Sequence, residues 1–219
     1  MSKCFFILCL LISASHGVYA QIDLEVRTGA GISSNSAEVF TATGPEDVSP
    51  DPFFSYFIGL SARKELIKRL YLSPEILYSR RGNISTEPSF TIKTVVDYLT
   101  VPVWLEYEMF DRFYIKTGAE FAYLLDQKIK FNDETVSLER QVNGKTTDLG
   151  VMTGFRYQVG PQWAIHFRAT FGLFQQWRPW YINSQFFERQ LPPRAYAIFT
   201  QNVTQRSYFI GIGYTLVKK

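Results

Sequence analysis

His166, Arg168 and Thr170 are the residues of this chain best suited by type and spacing to do chemistry. A neutral imidazole beside a hydroxyl can activate it for acyl transfer, as in a Ser-His dyad or triad completed by a carboxylate. A spacing of two puts all three side chains on one face of an extended strand. No distinctive serine motif accompanies His166, and the neighbouring Arg168 supplies charge without orienting the ring. His166 is therefore expected to be structural, and no enzyme activity, cofactor or metal site is expected. "NGK" at Asn143 to Lys145 reads as a turn, not a phosphate loop.

The same alternation carries a larger set of charges: Glu25, Arg27, Arg63, Glu75, Glu106, Glu108, Lys116, Glu120, Arg156, His166 and Arg168. Six are basic or potentially basic and five are acidic. Charges persist away from water when they are paired and hydrogen-bonded. The set is expected to form an interlocked salt-bridge core, with a narrow polar conduit or ligand pocket as the alternative.

The elements that would position these charges are strands. Eight segments alternate with period two, each with an apolar face opposite a polar one. In the first, Leu24, Val26, Ala30 and Ile32 oppose Asp23, Glu25, Arg27 and Gly31. In "DYLTVPVWLEYEMFDRFYIKTG", Leu99, Val101, Val103, Leu105 and Tyr107 oppose Tyr98, Thr100, Trp104, Glu106 and Glu108. The apolar faces carry no charge, and a lipid-facing charge at mid-bilayer costs roughly 2–4 kcal/mol. The opposite faces mix Glu, Arg, Lys, Gly and Ser, which suits the interior of a small barrel. Pro102 falls inside one of these strands, where a missing ladder bond or a bulge is expected.

Tight links at "KELIKR", "MFDR" and "VGPQ" alternate with long ones at residues 34–53, 82–97, 127–147 and 176–206. Short periplasmic turns alternating with long extracellular loops mark an outer-membrane barrel. Aromatic residues cluster where the apolar bands end. Tyr107, Phe113, Tyr157, Trp163 and Tyr214 fall toward the short turns, and Tyr56, Tyr78, Tyr123 and Tyr208 toward the long loops. Two interfacial girdles would have this form. The fold class expected is all-β: an eight-stranded antiparallel transmembrane β-barrel in the cell outer membrane, with a soluble sandwich as the weaker alternative.

The amino terminus sets the compartment. Lys3 precedes an apolar run from Phe5 to Ile12, and Val18-Tyr19-Ala20 fits a cleavage site. Residues 1–20 are expected to be a cleaved signal peptide and residues 21–219 the barrel domain. Cys4 and Cys9 both lie in that signal, so the mature chain is expected to have no disulfide framework or cysteine metal site. Losing Lys3 from 23 basic and 20 acidic side chains leaves a net charge of +2, which makes no electrostatic case for nucleic acid.

Two stretches carry a family resemblance. "LYLSPEILYSRRG" (Leu70 to Gly82) has a Pro-Glu pair, Tyr-Ser and a basic-Gly turn; "DYLTVPVWLEYEM" (Asp97 to Met109) has Tyr-Leu-x-x-Pro before an apolar strand. "GAGI" and "GIGYTL" fit a first and a last strand. The chain resembles the outer-membrane β-barrel domain family abundant in Bacteroidetes, which includes PorT-like proteins. The resemblance implies a signal-cleaved outer-membrane barrel and points toward type IX secretion or gliding machinery. The chain departs from the common terminal aromatic by ending "LVKK".

The last long loop is the candidate docking surface. It holds Trp177, Arg178, Trp180, Tyr181, Phe186, Phe187, Arg189, Arg194, Tyr196 and Phe199, and aromatic and Arg side chains are the usual anchors of interfaces. Loop 1, at residues 35–52, is polar and turn-rich and reads as an ordinary exposed connection. The expected partners are outer-membrane lipid and lipopolysaccharide, with a protein partner in an outer-membrane complex. The function expected is structural or interaction-based, with a small-solute channel or a lipid-modifying barrel enzyme as alternatives.

Overall fold

A computed structural model describes residues 22–41, 44–48, 51–87, 90–131, 134–136, 147–173 and 199–217. The expected signal peptide and nearly all of the expected docking loop, Trp177 to Tyr196, lie outside the described residues, as does the side chain of Phe199.

The strands are β1 (Ile22–Thr41), β2 (Gly44–Val48), β3 (Asp51–Ile67), β4 (Leu70–Glu87), β5 (Phe90–Phe110), β6 (Phe113–Phe131), β7 (Glu134–Val136), β8 (Thr147–Gln158), β9 (Trp163–Gly172) and β10 (Phe199–Val217). All wall pairings are antiparallel, in the order β1, β3, β4, β5, β6, β8, β9, β10, and β10 then pairs with β1. Eight strands thus close into a barrel, and closure removes the free edges that an open sheet would expose. The short β2 and β7 add to β1 and β6 outside this ring.

The alternation in the sequence becomes an inside and an outside. Leu24, Ile58, Leu60, Ile76, Val101, Leu105, Phe121, Ile165, Ile210 and Ile212 are all exposed on the outer wall. In water this would be a prohibitive apolar surface; against lipid it is the required one. The inward set is buried: Glu25, Arg27, Glu75, Glu106 and Trp104 are each 2% exposed or less.

Three expectations need correction. The two-residue turns Lys68–Arg69 and Asp111–Arg112 are tighter than the links read from sequence, because β5 runs on to Phe110 and β3 to Ile67. Arg69 and Arg112 adopt positive φ (69° and 68°), a left-handed conformation that strains a non-glycine residue. The stretches read as long loops at 34–53 and 82–97 are largely strand, and within 127–147 the described residues are strand as well. β1 continues to Thr41, β4 and β5 meet within two residues of each other, and β6 reaches Phe131. Loop 1 is accordingly no simple connection, since β2 pairs with β1 from Ala37 to Thr41.

Pro102 breaks the ladder without bulging it. The β4–β5 register passes from Pro74↔Val103 to Leu77↔Thr100 with two pairs missing and no shift. On its other side Pro102 pairs with Glu120 in unbroken register. Of the two outcomes expected at Pro102, the missing bond is the one present. The Thr100 hydroxyl donates to the Leu77 carbonyl at 3.4 Å beside the gap.

Candidate functional site: a charged and apolar lumen plug

The inward residues stack in layers. Nearest the short turns, the Arg63 guanidinium lies 3.5 Å from the Tyr71 ring centroid and 4.6 Å from that of Tyr114. Such cation–π contacts hold a charge where water is scarce. Arg63 also donates to Glu106 at 3.0 Å and meets Asp23 at 3.8 Å.

The middle layer is a continuous network. Glu75 takes Arg27 and Arg168 as hydrogen-bond donors and has Lys116 at 3.8 Å. Glu25 accepts from Arg27 at 2.9 Å, with Arg156 at 3.8 Å. Glu106 has Lys116 at 3.4 Å and Arg27 at 3.8 Å. Lys116 Nζ stands 4.2 Å from the Trp104 ring centroid, and the Arg168 guanidinium 5.2 Å. Each carboxylate is shared among several cations, which is what lets all of them stay ionised away from water.

His166 is oriented after all. Its Nε2 lies 2.8 Å from Glu25 Oε1, a partner 141 residues away brought alongside by the β10–β1 closure. Gly213 makes the contact possible: a Cβ there would overlap the Glu25 carboxylate and stand 2.7 Å from His166 Nε2. His166 Nδ1, the other nitrogen, has no hydrogen-bond partner among the described residues. A carboxylate and an imidazole are thus paired, and no hydroxyl completes a triad at Nδ1 among those residues.

Above this layer sits an apolar disc that sequence reasoning passed over. Phe57 and Phe209 pack edge to face at 5.4 Å, and Leu77 completes a fully buried cluster with them. Glycines make room for the ring. A Cβ on Gly29 would lie 2.5 Å from Phe57 Cε1, and one on Gly211 2.9 Å from its Cζ. Beyond the disc, Arg81 grips Glu120 with two bonds of 2.7 and 2.8 Å and also donates to Ser79 at 3.0 Å.

Of the eleven charges expected in the lumen, ten are buried there. Glu108 is the exception. It keeps the inward parity but lies half-buried at the rim, where its backbone N–H donates to Arg69, and it makes none of the network's ion pairs. Arg81 belongs to the lumen but was missed. It follows Tyr78 by three residues within a stretch read as a basic turn, although its parity matches Glu75. Among the described residues no group of His, Cys, Asp and Glu is placed to hold a metal ion.

The aromatic residues form two belts. At the short-turn end Trp163 and Tyr214 pair at 4.8 Å and Phe113 stacks on Phe155 at 5.8 Å; Tyr107 and Tyr157 are exposed there. At the other end Tyr56 and Tyr78 meet at 6.2 Å and Tyr208 lies 6.1 Å from Phe171, while Tyr123 is exposed beside Leu99. Just past Tyr78 the outer wall carries its first ion pair, Arg80 with Asp97 at 2.7 Å. The guanidinium also lies near the Tyr56 ring and donates to the Tyr78 hydroxyl. The apolar band ends there.

A closed barrel with a lipid-compatible wall, two aromatic belts and a polar, side-chain-filled interior is an integral outer-membrane β-barrel protein. More particularly, residues 18–176 match the family model described as the outer membrane protein beta-barrel domain, and the chain belongs to that family. Neisserial surface protein A is similar in structure, with 15% sequence identity, covering 88% of this chain and 97% of that one at a TM-score of 0.52. Ail of Yersinia pestis is 14% identical, with 89% and 98% covered and a TM-score of 0.45. OprG from Pseudomonas aeruginosa is 14% identical, with 89% and 95% covered and a TM-score of 0.42. No curated protein sequence matches the chain.

Proposed function

We propose that this protein is a non-conducting, structural and interaction barrel: an accessory component of an outer-membrane complex that docks partners at its long-strand end. The observation that carries this reading is the lumen plug. Arg27, Glu75, Glu106 and Trp104 fill the mid-barrel with almost no exposure, and the Phe57–Leu77–Phe209 disc lies directly above them. An apolar constriction disfavours water and a paired charge layer offers no free site for a permeating ion. A barrel so filled is suited to holding a surface in the membrane, and its wall strands extend past the aromatic belt to supply one. The aromatic and Arg-rich stretch from Trp177 to Phe199 is the docking surface in this reading. The resemblance of Leu70 to Gly82 and Asp97 to Met109 to PorT-like proteins directs the search for partners to secretion or gliding machinery.

Purification from native outer membrane in mild detergent tests the proposal. Stoichiometric partners that are lost when Trp177, Trp180 and Tyr181 are replaced by Ala support it. Recovery of the barrel alone, folded and without partners, counts against it.

A further inference from the structure

Beyond the outer aromatic belt the outward face of β4, β5 and β6 turns from apolar to charged. Tyr78, Leu99 and Tyr123 share one row of the ladder. The next row outward is Arg80, Asp97 and Asp126, then Gly82, Val95 and Lys128, then Ile84, Lys93 and Lys130. The two acids of these rows are answered where they stand: Arg80 holds Asp97 at 2.7 Å and Lys128 holds Asp126 at 3.2 Å. Lys93 and Lys130 lie directly opposite each other across the β5–β6 ladder, and neither makes an ion pair among the described residues. Asp51 stands in the same row as Lys93 but two strands, about 10 Å, away. Glu87 and Glu134 occupy positions of the opposite parity.

Like charges directly opposite on one face of a sheet repel each other. Lys128 is two residues from Lys130 on that face, about 7 Å along the strand. Three ammonium groups thus share a patch that holds one carboxylate, Asp126, and all three are exposed or half-buried. Lys93 Nζ stands 5.4 Å from the Phe53 ring centroid, which gives that ammonium a fixed rest. A phosphate, with several anionic oxygens on one centre, can answer three such point charges at once.

Height above the belt selects the source of the phosphate. Each row adds about 7 Å along the strand, or about 5 Å along the membrane normal at a tilt of about 40°. Lys128 is therefore about 10 Å, and Lys93 and Lys130 about 15 Å, beyond the tyrosine row. The headgroup layer of a simple phospholipid is only about 5–8 Å deep on each side. The lysines stand past it, at the level of a larger saccharide headgroup.

We infer that Lys93, Lys128 and Lys130 form a docking site for the phosphorylated saccharide headgroup of the outer-leaflet glycolipid, lipopolysaccharide. The ammonium groups take phosphate, while the exposed Leu99, Phe121 and Tyr123 below them meet the acyl chains. The site lies outside the lumen and apart from the stretch from Trp177 to Phe199, so it stands or falls independently of the accessory reading.

The test is a titration of the full-length protein, folded in a maltoside detergent, with purified rough-type lipopolysaccharide. Binding is read as the concentration that shifts half of the folded band on a native gel. Dephosphorylated lipopolysaccharide, phosphatidylglycerol and heparin are run in parallel. A lysine at an anionic surface contributes about fivefold in affinity, so the triple variant Lys93→Gln, Lys128→Gln, Lys130→Gln is expected to need more than about tenfold more lipopolysaccharide than wild type. Lys64→Gln with Lys68→Gln, at the short-turn end, is expected to bind as wild type does. The three parallel ligands are expected to bind wild type weakly. Equal half-shift concentrations for wild type and the triple variant overturn the proposal. Phosphatidylglycerol or heparin binding as tightly as lipopolysaccharide overturns it too, by assigning the patch to any anionic lipid or to a soluble polyanion. Lys130→Glu, which sets an acid directly opposite Lys93, keeps the proposal open to refutation if the triple variant does not fold. It is expected to weaken binding at least about fivefold, and undiminished binding overturns the proposal.

Discussion

Replacing Glu75 with Gln probes the plug at its most connected point. The substitution keeps the side chain's size and removes one negative charge from a residue 1% exposed. Arg27, Arg168 and Lys116 all converge on that carboxylate. Coulomb attraction at 3.8 Å, the Lys116 separation, is worth about 4 kcal/mol at an effective dielectric of about 20. Glu106 remains to share Lys116 and Arg27, so part of this is recovered. Removing one partner of a buried pair costs roughly 3–5 kcal/mol because the other charge stays buried without its counterion. The expected loss is therefore about 3–5 kcal/mol in folding free energy. It is measured by urea titration in detergent or lipid vesicles, followed by tryptophan fluorescence and by the gel shift of the folded barrel. Glu65→Gln, at an exposed position near the short turn, should change stability by less than about 0.5 kcal/mol. A Glu75→Gln barrel within about 1 kcal/mol of wild type would refute the argument that the network is tightly coupled.

Three further predictions follow from separate parts of the wall and lumen. Gly213→Ala forces a methyl group into the Glu25–His166 pair and should destabilise by more than about 2 kcal/mol, read by the same titration; a neutral result would mean that the pair can move aside. Phe57→Ala removes a ring from the apolar disc and should cost about 3–5 kcal/mol, again by urea titration. At the outer belt, hydrogen bonds from Arg80 hold the Asp97 carboxyl below its ordinary value of 3.8. Its folded pKa is the lower one, so its stabilisation is present above pH 3.8 and lost as pH falls through the folded value. Asp97→Asn should flatten stability against pH in that acid window. The loss at neutral pH should be no more than about 1 kcal/mol, since the pair is partly exposed.

Much of this architecture was legible as alternation. Parity alone placed Glu25, Arg27, Glu75, Glu106, Lys116, Arg156 and Arg168 on one face, because a lipid wall forbids charges on the other. Parity could not say who pairs with whom. Glu75 and Arg168 are 93 residues apart, and Glu25 and His166 meet only because the last strands close on the first. That closure is why Glu25, not visible near His166 in the chain, supplies its orienting carboxylate. Phe57, Leu77 and Phe209 were hidden for the opposite reason. They are apolar residues on the polar face, where a disc across the lumen, not lipid, receives them. The strand extension at residues 90–96 of β5 was hidden differently: Phe90, Ile92 and Val96 share the parity of Trp104 and Glu106, so the apolar side changes face beyond the belt.

The central claim is that side chains close the lumen. Planar lipid bilayers containing the folded wild-type protein test it most directly. The account predicts no current above the bare bilayer across the voltage range at which the membrane itself is stable. Reproducible, ohmic single-channel steps that scale with the amount of protein would contradict it.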